Sequence, residues 1–334
     1  MTSLPERPTR RRAIAIFAAA AAGAMAGGPA RSSAEYVWRG VAMGADATIL
    51  FNGIDRDAAS AAVALVEAEI DRLEDELSLF RQASELCRLN RDGRLQSPGA
   101  DLRRALTLAL DTASASGGLF DPTVQALWEA HVDWFAAAPG AATPPDDLIA
   151  RARLAVDWRK VTIEPSSIHL GHGQRVTLNG LGQGYVTDRI AELLAGRGLR
   201  HVLVDLGEQR AIDARLDGAP WQIARAGGAP IRLRRGALAT SEGSGCVLGA
   251  GGAAHHLFDP RSGRSAGGWK TVTVHHRSAA VADALSTAFY IASANEIAAL
   301  LPQFPGTVVW ARDHANAGRR WIAAPVDDVV SLEV

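Results

Sequence analysis

The spacing of apolar residues changes along the chain, and that change sets the fold class. Between Arg56 and Leu77, apolar residues recur every three or four positions, which predicts a long amphipathic helix. Beyond a loop at residues 139–145, short apolar runs typical of strands alternate with helical segments. Helices and strands that are partly segregated and partly alternating indicate an α+β (mixed α/β) fold.

The other elements are predicted from the same periodicity and from Gly, Pro and capping residues. Further helices are expected at residues 101–114, 124–138, 184–195 and 279–292. Strands are expected at residues 161–164, 167–170, 176–178 and 201–206, and between residues 36 and 51 around a turn at Gly40. The loop at residues 139–145 is the best candidate for an internal boundary.

Composition and charge exclude several classes of protein. The 334 residues are 48% hydrophobic and 21% charged, a globular mixture rather than a disordered or coiled-coil one. The net charge of −1 provides no basic field for nucleic acid. Only Lys160 and Lys270 among the 35 basic residues are lysines. A phosphate-binding site in this chain therefore depends on backbone groups, Arg or a metal ion.

The first 34 residues resemble a Tat-type signal peptide. The basic run Arg10-Arg11-Arg12 precedes an uncharged segment at residues 13–27, and small residues at 32–34 provide a cleavage context. An anchoring helix is the alternative, but the apolar run is too short to span a bilayer. We expect a periplasmic mature chain of residues 35–334, which carries 30 basic and 35 acidic groups. Pairing between Cys87 and Cys246 stays open.

Two glycine-containing segments are candidates for binding a phosphate or cofactor. In the first, Gly117-Gly118 precedes Leu119-Phe120-Asp121, followed by Pro122-Thr123, a pattern that starts a helix and presents free amides. The second, from Thr177 to Tyr185, is a glycine-rich turn that enters a helix and can offer carbonyls to a cation. Taken singly, either segment is more often a structural cap.

Two further segments carry side chains with catalytic or metal-binding chemistry. His255 and His256 are followed by an Asp-Pro turn, and adjacent strand residues point to opposite faces, so one site receives only one of the two imidazoles. Asp283, Ser286 and Thr287 lie at i, i+3 and i+4 on one helix face. Such oxygen ligands suit Mg²⁺. A structural cap is again the commoner explanation for each segment alone.

In this order, the segments resemble the ApbE-type FAD:protein FMN transferases over most of the mature chain, from about Met43 to Ala288. The resemblance implies an ApbE-like two-lobed fold with mixed β-sheets flanked by helices. It also implies that Mg²⁺ is bound by the Gly180 carbonyl, Asp283 and Thr287, with Ser286 as an additional candidate. His256 is the expected catalytic histidine, acting together with Asp283. The expected FAD contacts are Met43, Phe80, Leu119, Phe120, Asp121, Thr177, Gln183 and Leu257.

The implied reaction is a Mg²⁺-dependent phosphoryl transfer. A Thr or Ser hydroxyl of an exported or membrane-bound acceptor flavoprotein attacks the FMN phosphorus of FAD, and AMP leaves. Two departures from the family pattern are Thr177, where Asp is common, and Glu208, where the family has Gly. They keep two alternatives open: an FAD-binding maturation factor similar to NosX-like proteins that support a respiratory system, and an FAD pyrophosphatase.

Overall fold

The computed structural model describes residues 35–138, 140–141, 143–225, 228–249, 254–326 and 329. The predicted signal segment at residues 1–34 lies outside this range, as do residues 139 and 142 of the predicted boundary loop. The α-helices of the described residues are α1 (Arg56–Leu77), α2 (Glu85–Asp92), α3 (Ala100–Ala115), α4 (Gln125–Ala137), α5 (Asp146–Arg153), α6 (Gly182–Gly196), α7 (Ala279–Ile291) and α8 (Ala294–Leu300).

The strands build one large sheet and four small ones. They are β1 (Glu35–Ala42), β2 (Ala45–Asn52), β3 (Arg94–Gln96), β4 (Thr162–Ile163), β5 (Ser167–His169), β6 (Val202–Asp205), β7 (Gln209–Ala211), β8 (Trp221–Ile223), β9 (Ile231–Leu233), β10 (Gly236–Glu242), β11 (Val247–Leu248), β12 (Ala254–His255), β13 (Phe258–Asp259), β14 (Arg264–Ser265), β15 (Thr271–His276), β16 (Val308–Arg312) and β17 (Gly318–Ile322). The large sheet has the order β1-β2-β6-β7-β10-β15-β16-β17.

The two faces of the large sheet contribute to separate hydrophobic cores. Ile49 and Val274 point into the larger core, which they share with α1, α6 and α7. Leu50 and Trp310 point to the opposite face, where the β8–β9 hairpin covers a smaller core. Leu95, in the three-stranded sheet β3-β5-β4, also belongs to the larger core, so the two sheets share one apolar interior.

Helix α1 forms where the periodicity of the sequence predicts it. Asp55 caps its first turn by accepting a hydrogen bond from the Ala58 amide at 2.9 Å. The helix buries a continuous apolar stripe that includes Val66, Ile70 and Leu73. Burial of each such side chain contributes about 2 kcal/mol to the stability of the folded protein. The buried apolar face and the N-terminal cap both stabilise helix α1.

The first hairpin turns at a different place from the predicted one. Met43 and Gly44 both adopt positive φ, 51° and 80°, as a two-residue hairpin turn requires. Gly40 instead lies inside β1, opposite Ala47. A Cβ atom on Gly40 would lie 2.3 Å from the ring of Trp38, so this glycine makes room for an indole. The prediction of a turn at Gly40 was wrong.

The predicted α+β class is confirmed, with two differences in the strands. Every strand pairing among the described residues is antiparallel, where the resemblance had implied mixed sheets. Residues 176–178 form no strand, because the Asn90 side chain binds both backbone groups of Val176 and the Thr177 amide donates to the Pro122 carbonyl. In the described part of the chain, no helix combines the length and apolarity needed to cross a membrane.

Candidate active site

A cavity of about 250 Å³ opens where the β6–β7 turn, the end of β10 and helices α6 and α7 meet. Most of the residues predicted from the sequence line it: Leu119, Phe120, Asp121, Thr177, Gly180, Gln183, His256, Leu257, Asp283 and Thr287. These residues come from four separated segments of the chain. The fold therefore brings the candidate cation ligands, the candidate histidine and several apolar contacts to one place.

Met43, Phe80 and Ser286 do not line the cavity. The Met43 amide donates to Glu74 at 2.7 Å, and its side chain reaches α6 at Gly182. The Phe80 ring packs beside the hairpin turn and stays 37% exposed. The two residues thus lie near the N-terminus of α6, outside the cavity wall.

The glycine-rich turn places the backbone of Gly180 against two side chains of the cavity. A Cβ atom on Gly180 would lie 3.0 Å from Thr287 Oγ1 and 3.2 Å from the Phe120 ring. A larger residue would have to push one of these groups away. The glycine therefore allows the backbone, the hydroxyl and the aromatic ring to meet.

Helices α6 and α7 approach each other closely at their N-termini. A Cβ atom on Gly184 would lie 2.3 Å from the carbonyl oxygen of Ala279. The Gly184 amide donates to Asp283 Oδ2 at 3.1 Å, which orients that carboxylate. Asp188 on α6 accepts hydrogen bonds from Ser278 Oγ and from the Ala279 amide, and so caps α7. The position of Asp283 is thus fixed by α6 as well as by its own helix.

Two carboxyl groups lie together in the cavity wall, and both are buried. Burial, followed by the effect of Asp188, raises the pKa of Asp283 to about 7, although the Gly184 hydrogen bond acts in the opposite direction. Burial also raises the pKa of Glu208 well above its usual value, with further contributions from Asp283 and Asp205. Charge in this part of the cavity is therefore costly without a cation nearby.

The cavity offers oxygen atoms that suit a hard divalent cation, although its described residues lack a full cluster of acidic side chains. The described residues contain no group of three or more His, Cys, Asp or Glu placed to bind a metal ion. The cavity instead combines the Asp283 carboxylate, the Thr287 hydroxyl and the backbone of Gly180, which are oxygen ligands of the kind that Mg²⁺ accepts. A cation would also relieve the cost of burying Asp283 and Glu208.

Ser286, the additional candidate ligand, is engaged in hydrogen bonds within the protein. Its hydroxyl donates to the Asp283 carbonyl at 2.9 Å and lies 2.8 Å from the hydroxyl of Ser241. It is also almost fully buried. Ser286 therefore supports the helix that carries Asp283 and Thr287 rather than facing the cavity.

His256 lines the cavity, and the protein engages one of its ring nitrogens. Its Nδ1 lies 3.3 Å from the carbonyl oxygen of Cys246, which can only accept, so this nitrogen carries the proton and Nε2 is left as an acceptor. Burial lowers the pKa of His256 to about 4, so the ring is neutral near pH 7. His255 uses both ring nitrogens, on Ala266 and Leu257. Only the second histidine of the pair is available.

Some of the residues predicted to contact FAD already use their polar side-chain atoms in hydrogen bonds within the protein. Both carboxylate oxygens of Asp121 are engaged, one by Thr123 and the other by the Trp158 amide at 3.2 Å. The Thr177 hydroxyl accepts from the Asn179 amide at 3.1 Å. Asp121 thus shapes its own turn, while Phe120 beside it gives the cavity an apolar wall.

Comparison with known proteins identifies the family. A family model described as the ApbE family matches residues 43–310. The chain belongs to the ApbE family. Its sequence is 28% identical over 262 residues to the FAD:protein FMN transferase of Treponema pallidum (strain Nichols), over 69% of this chain and 71% of that protein. It is 28% identical over 267 residues to the FAD:protein FMN transferase of Vibrio cholerae, over 71% of this chain and 78% of that protein.

Solved structures named for ApbE share the fold. The ApbE protein of Thermotoga maritima superposes with a TM-score of 0.75 at 22% identity, covering 86% of this chain and 97% of that one. The flavinyl transferase ApbE of Pseudomonas stutzeri, in its apo form, gives a TM-score of 0.74 at 22% identity, covering 88% and 98%. The ApbE-like fold predicted from the sequence is confirmed.

The cavity of this ApbE family member also contains residues that the sequence motifs did not identify as site residues. Glu208 was noted only as a departure from the family pattern, and its burial beside Asp283 depends on the tertiary fold. Gln125 and Trp128, one turn apart on α4, also line the cavity, and their helical spacing is the only signal that the sequence offers. Cys87 and Cys246 are both free thiols in the structure.

Proposed function

We propose that this protein is an FAD:protein FMN transferase that uses Mg²⁺. The observation that carries the proposal is the convergence of Gly180, His256, Asp283 and Thr287 on one cavity with an apolar wall at Phe120. The family and the names of its relatives support the same reaction. No single motif among these would distinguish a transferase from a structural turn.

In this proposal, the Asp283 carboxylate, the Thr287 hydroxyl and the Gly180 carbonyl hold the cation. When bound, Mg²⁺ neutralises charge on the pyrophosphate of FAD and on the transferring phosphoryl group. The Gly184 amide keeps Asp283 oriented toward the cavity. Phe120 and Leu257 exclude water from the flavin side.

The acceptor hydroxyl is positioned by His256. The oxygen of the acceptor hydroxyl attacks the phosphorus of the FMN half of FAD and forms a new phosphoester bond. The P–O bond to AMP breaks, so that AMP leaves with the bridging oxygen. The unprotonated Nε2 of His256 accepts the hydrogen bond of the hydroxyl and takes its proton as the bond forms. The neutral imidazole needed for this role is the form that burial favours.

The direct test incubates the full chain with FAD, Mg²⁺ and candidate acceptor flavoproteins that carry an exposed Thr or Ser. We expect flavin that stays attached after denaturation, a matching mass gain of the acceptor, and one AMP released per flavin attached. Asp283→Asn is the inactive control. Tight FAD binding without attachment to any acceptor would contradict the proposal.

A second candidate function is a flavin-binding maturation factor, NosX-like, without transfer. Glu208 motivates it, because it departs from the family pattern and adds a second buried carboxyl group beside Asp283, where the cation is proposed to bind. Glu208→Gly decides between the two: a gain of transfer of tenfold or more in the variant indicates that the native chain is a binder. AMP and FMN released without any acceptor would instead identify an FAD pyrophosphatase.

The acceptor is proposed to be an exported or membrane-bound flavoprotein, in line with the signal-like residues 1–34. This places the reaction in the periplasm, with a respiratory complex as one class of partner. A pull-down with the mature chain as bait and FAD present tests the class of partner. Recovery of cytoplasmic flavoproteins alone would contradict it.

A further inference from the structure

The turn of the first hairpin and the loop that follows α1 lie together beside the cavity. The Phe80 ring is 3.5 Å from the position of a Cβ atom on Gly44, and Met43 Cε is 3.5 Å from that of a Cβ atom on Gly182. Ala45, the residue after the turn, lines the cavity. Met43 and Phe80 therefore form an apolar rim at the edge of the cavity.

The cavity is too small to enclose a whole FAD molecule. Its volume is about 250 Å³, whereas pockets that enclose ligands of ordinary drug size measure roughly 300–1,000 Å³. FAD is larger than such a ligand, because two ring systems flank its pyrophosphate. With the pyrophosphate at the proposed cation ligands Asp283 and Thr287, at least one ring system extends past the cavity wall. The apolar rim offers such a ring an aromatic face and a thioether.

Glu74, on α1, connects the two parts of the apolar rim with both oxygens of its carboxylate. Oε1 accepts a hydrogen bond from the Met43 amide at 2.7 Å, and Oε2 accepts one from Arg81 Nε at 2.9 Å. The Glu74 side chain is only 15% exposed. Met43 has a positive φ, which is uncommon for a residue other than glycine, so a partner for its amide helps to keep the turn formed. One side chain thus joins the turn to the loop that carries Phe80.

The two hydrogen bonds of Glu74 differ in how easily the protein can replace them. Arg81 also pairs with Asp71 and, at 2.7 Å, with Asp75, and both of these carboxylates are on α1. The loop therefore stays attached to α1 when Glu74 is withdrawn. The hydrogen bond to the Met43 amide joins residues 31 positions apart and depends on the length of the Glu74 side chain. A change of Glu74 should therefore act mainly on the turn.

We propose that Glu74 is a positioning residue for FAD. It holds the apolar rim where one ring system of FAD leaves the cavity, a role that rests on the proposed function because FAD is the ligand. The carboxylate does not touch FAD but acts through Met43 and Phe80. The ring on the rim is the isoalloxazine or the adenine, since both are flat and stack on an aromatic face.

The test measures the FAD affinity of full-chain variants by quenching of flavin fluorescence. E74D keeps the negative charge but withdraws the carboxylate from the Met43 amide. It should bind FAD about tenfold more weakly than the wild type, the size of one lost stacking contact, and E74A should show the same loss. E74Q gives up the charge but keeps an oxygen that accepts from the amide, so its affinity should stay within about threefold of the wild type.

The matched control is D75N, because the Asp75 carboxylate is exposed and binds Arg81 rather than the Met43 amide. It should bind FAD with wild-type affinity. Calorimetric titrations with FMN and with AMP separate the two ring systems. E74D should weaken binding of the one whose ring lies on the apolar rim and leave the other unchanged.

Four results would overturn the proposal. The first is wild-type FAD affinity in E74D and E74A. The second is a loss in E74Q as large as that in E74D, which would assign the effect to charge. The third is an equal loss in D75N, which would assign it to Arg81. The fourth is an equal loss for FMN and AMP, which would indicate a general change of the cavity. A wild type that binds no FAD would contradict the proposed function too, whereas these four results leave that function standing.

Discussion

At the scale of single residues, His256 gives the sharpest prediction. His256→Ala should lower the rate of flavin transfer by about 10²–10⁴-fold, because it removes the acceptor for the hydroxyl proton. FAD affinity should change little, since the one hydrogen bond of this ring to the described residues is to the Cys246 carbonyl and not to a residue predicted to contact FAD. The measurement is single-turnover attachment of flavin, with FAD affinity from fluorescence quenching.

His172→Ala is the control, because His172 is exposed and does not line the cavity. It should transfer flavin at the wild-type rate. Equal losses in FAD affinity and in rate for His256→Ala would contradict the proposed role, since they would indicate a general collapse of the cavity.

The buried pair of Glu208 and Asp283 predicts a pH-dependent stability of the cation-free protein. Below about pH 3 both carboxyl groups are largely protonated in the folded and the unfolded chain. As the pH rises toward 7, the carboxyls ionise first in the unfolded chain, because the folded pKa of Asp283 is about 7. The free energy of unfolding should therefore fall over this interval.

Glu208→Gln should make that fall smaller and stabilise the protein at pH 7 by at least about 1 kcal/mol, because one buried charge is removed. Urea unfolding at several pH values, with EDTA present, provides the measurement. Asp111→Asn, an exposed change on α3, serves as the control and should leave the pH profile unchanged. A steeper fall in Glu208→Gln would show that the pair is not the cause.

The sequence predicted those site residues that belong to local motifs. Gly180, Asp283 and Thr287 could be found because a turn and a helix face place chemically suited groups at fixed spacing. Glu208 could not be found in this way, because its burial and its closeness to Asp283, 75 positions later in the chain, depend on the tertiary fold. Ser286 has the spacing of a cation ligand on the same helix, but its hydroxyl donates a hydrogen bond to the Asp283 carbonyl.

At the scale of elements, the contact between α6 and α7 can be tested with two glycines of one helix. Gly184→Ala should destabilise the protein by about 1–3 kcal/mol, because the new Cβ would lie 2.3 Å from a backbone oxygen of α7. It should also weaken cation binding, since the amide of residue 184 orients Asp283. Urea unfolding and calorimetric titration with Mg²⁺ measure the two effects.

Gly196→Ala, at the other end of α6, is the matched control. No atom lies within 4 Å of a Cβ placed there, so the change should be neutral or stabilise by up to about 1 kcal/mol. Cation affinity should stay at the wild-type value. A Gly184→Ala protein with normal stability and normal Mg²⁺ affinity would contradict the prediction, because it would show that α6 and α7 can move apart at this contact without cost.

The elements differ in how well their sequence patterns predicted them. Helix α1 was predicted with its observed bounds because six turns of amphipathic periodicity leave little ambiguity. Helices α2, α5 and α8 have only seven or eight residues and gave no such pattern. The segment at residues 176–178 has the composition of a strand, but its backbone hydrogen bonds go to the Asn90 side chain and to the Pro122 carbonyl. Whether a segment becomes a strand therefore depends on whether its backbone groups bind those of a neighbouring strand.

At the scale of the whole molecule, we propose that export depends on residues 1–34, which lie outside the described residues. We predict that residues 1–34 direct a fused reporter to the periplasm, and that changing Arg10, Arg11 and Arg12 to Lys retains it in the cytoplasm. Fractionation of cells that express both fusions provides the measurement. Export of the lysine version at the full rate would show that the twin-arginine pattern is not the signal.

The hydrogen bond between Gly184 and Asp283 joins residues 99 positions apart, and that separation has a kinetic consequence. Loops of this length close late in folding, so no flavin pocket exists in a partly folded chain. FAD should therefore slow unfolding and leave the folding rate unchanged, because its contacts are absent from the transition state. Stopped-flow refolding and unfolding with and without FAD can separate the two rates. A cell that supplies this protein with flavin would gain nothing by doing so before the chain is complete.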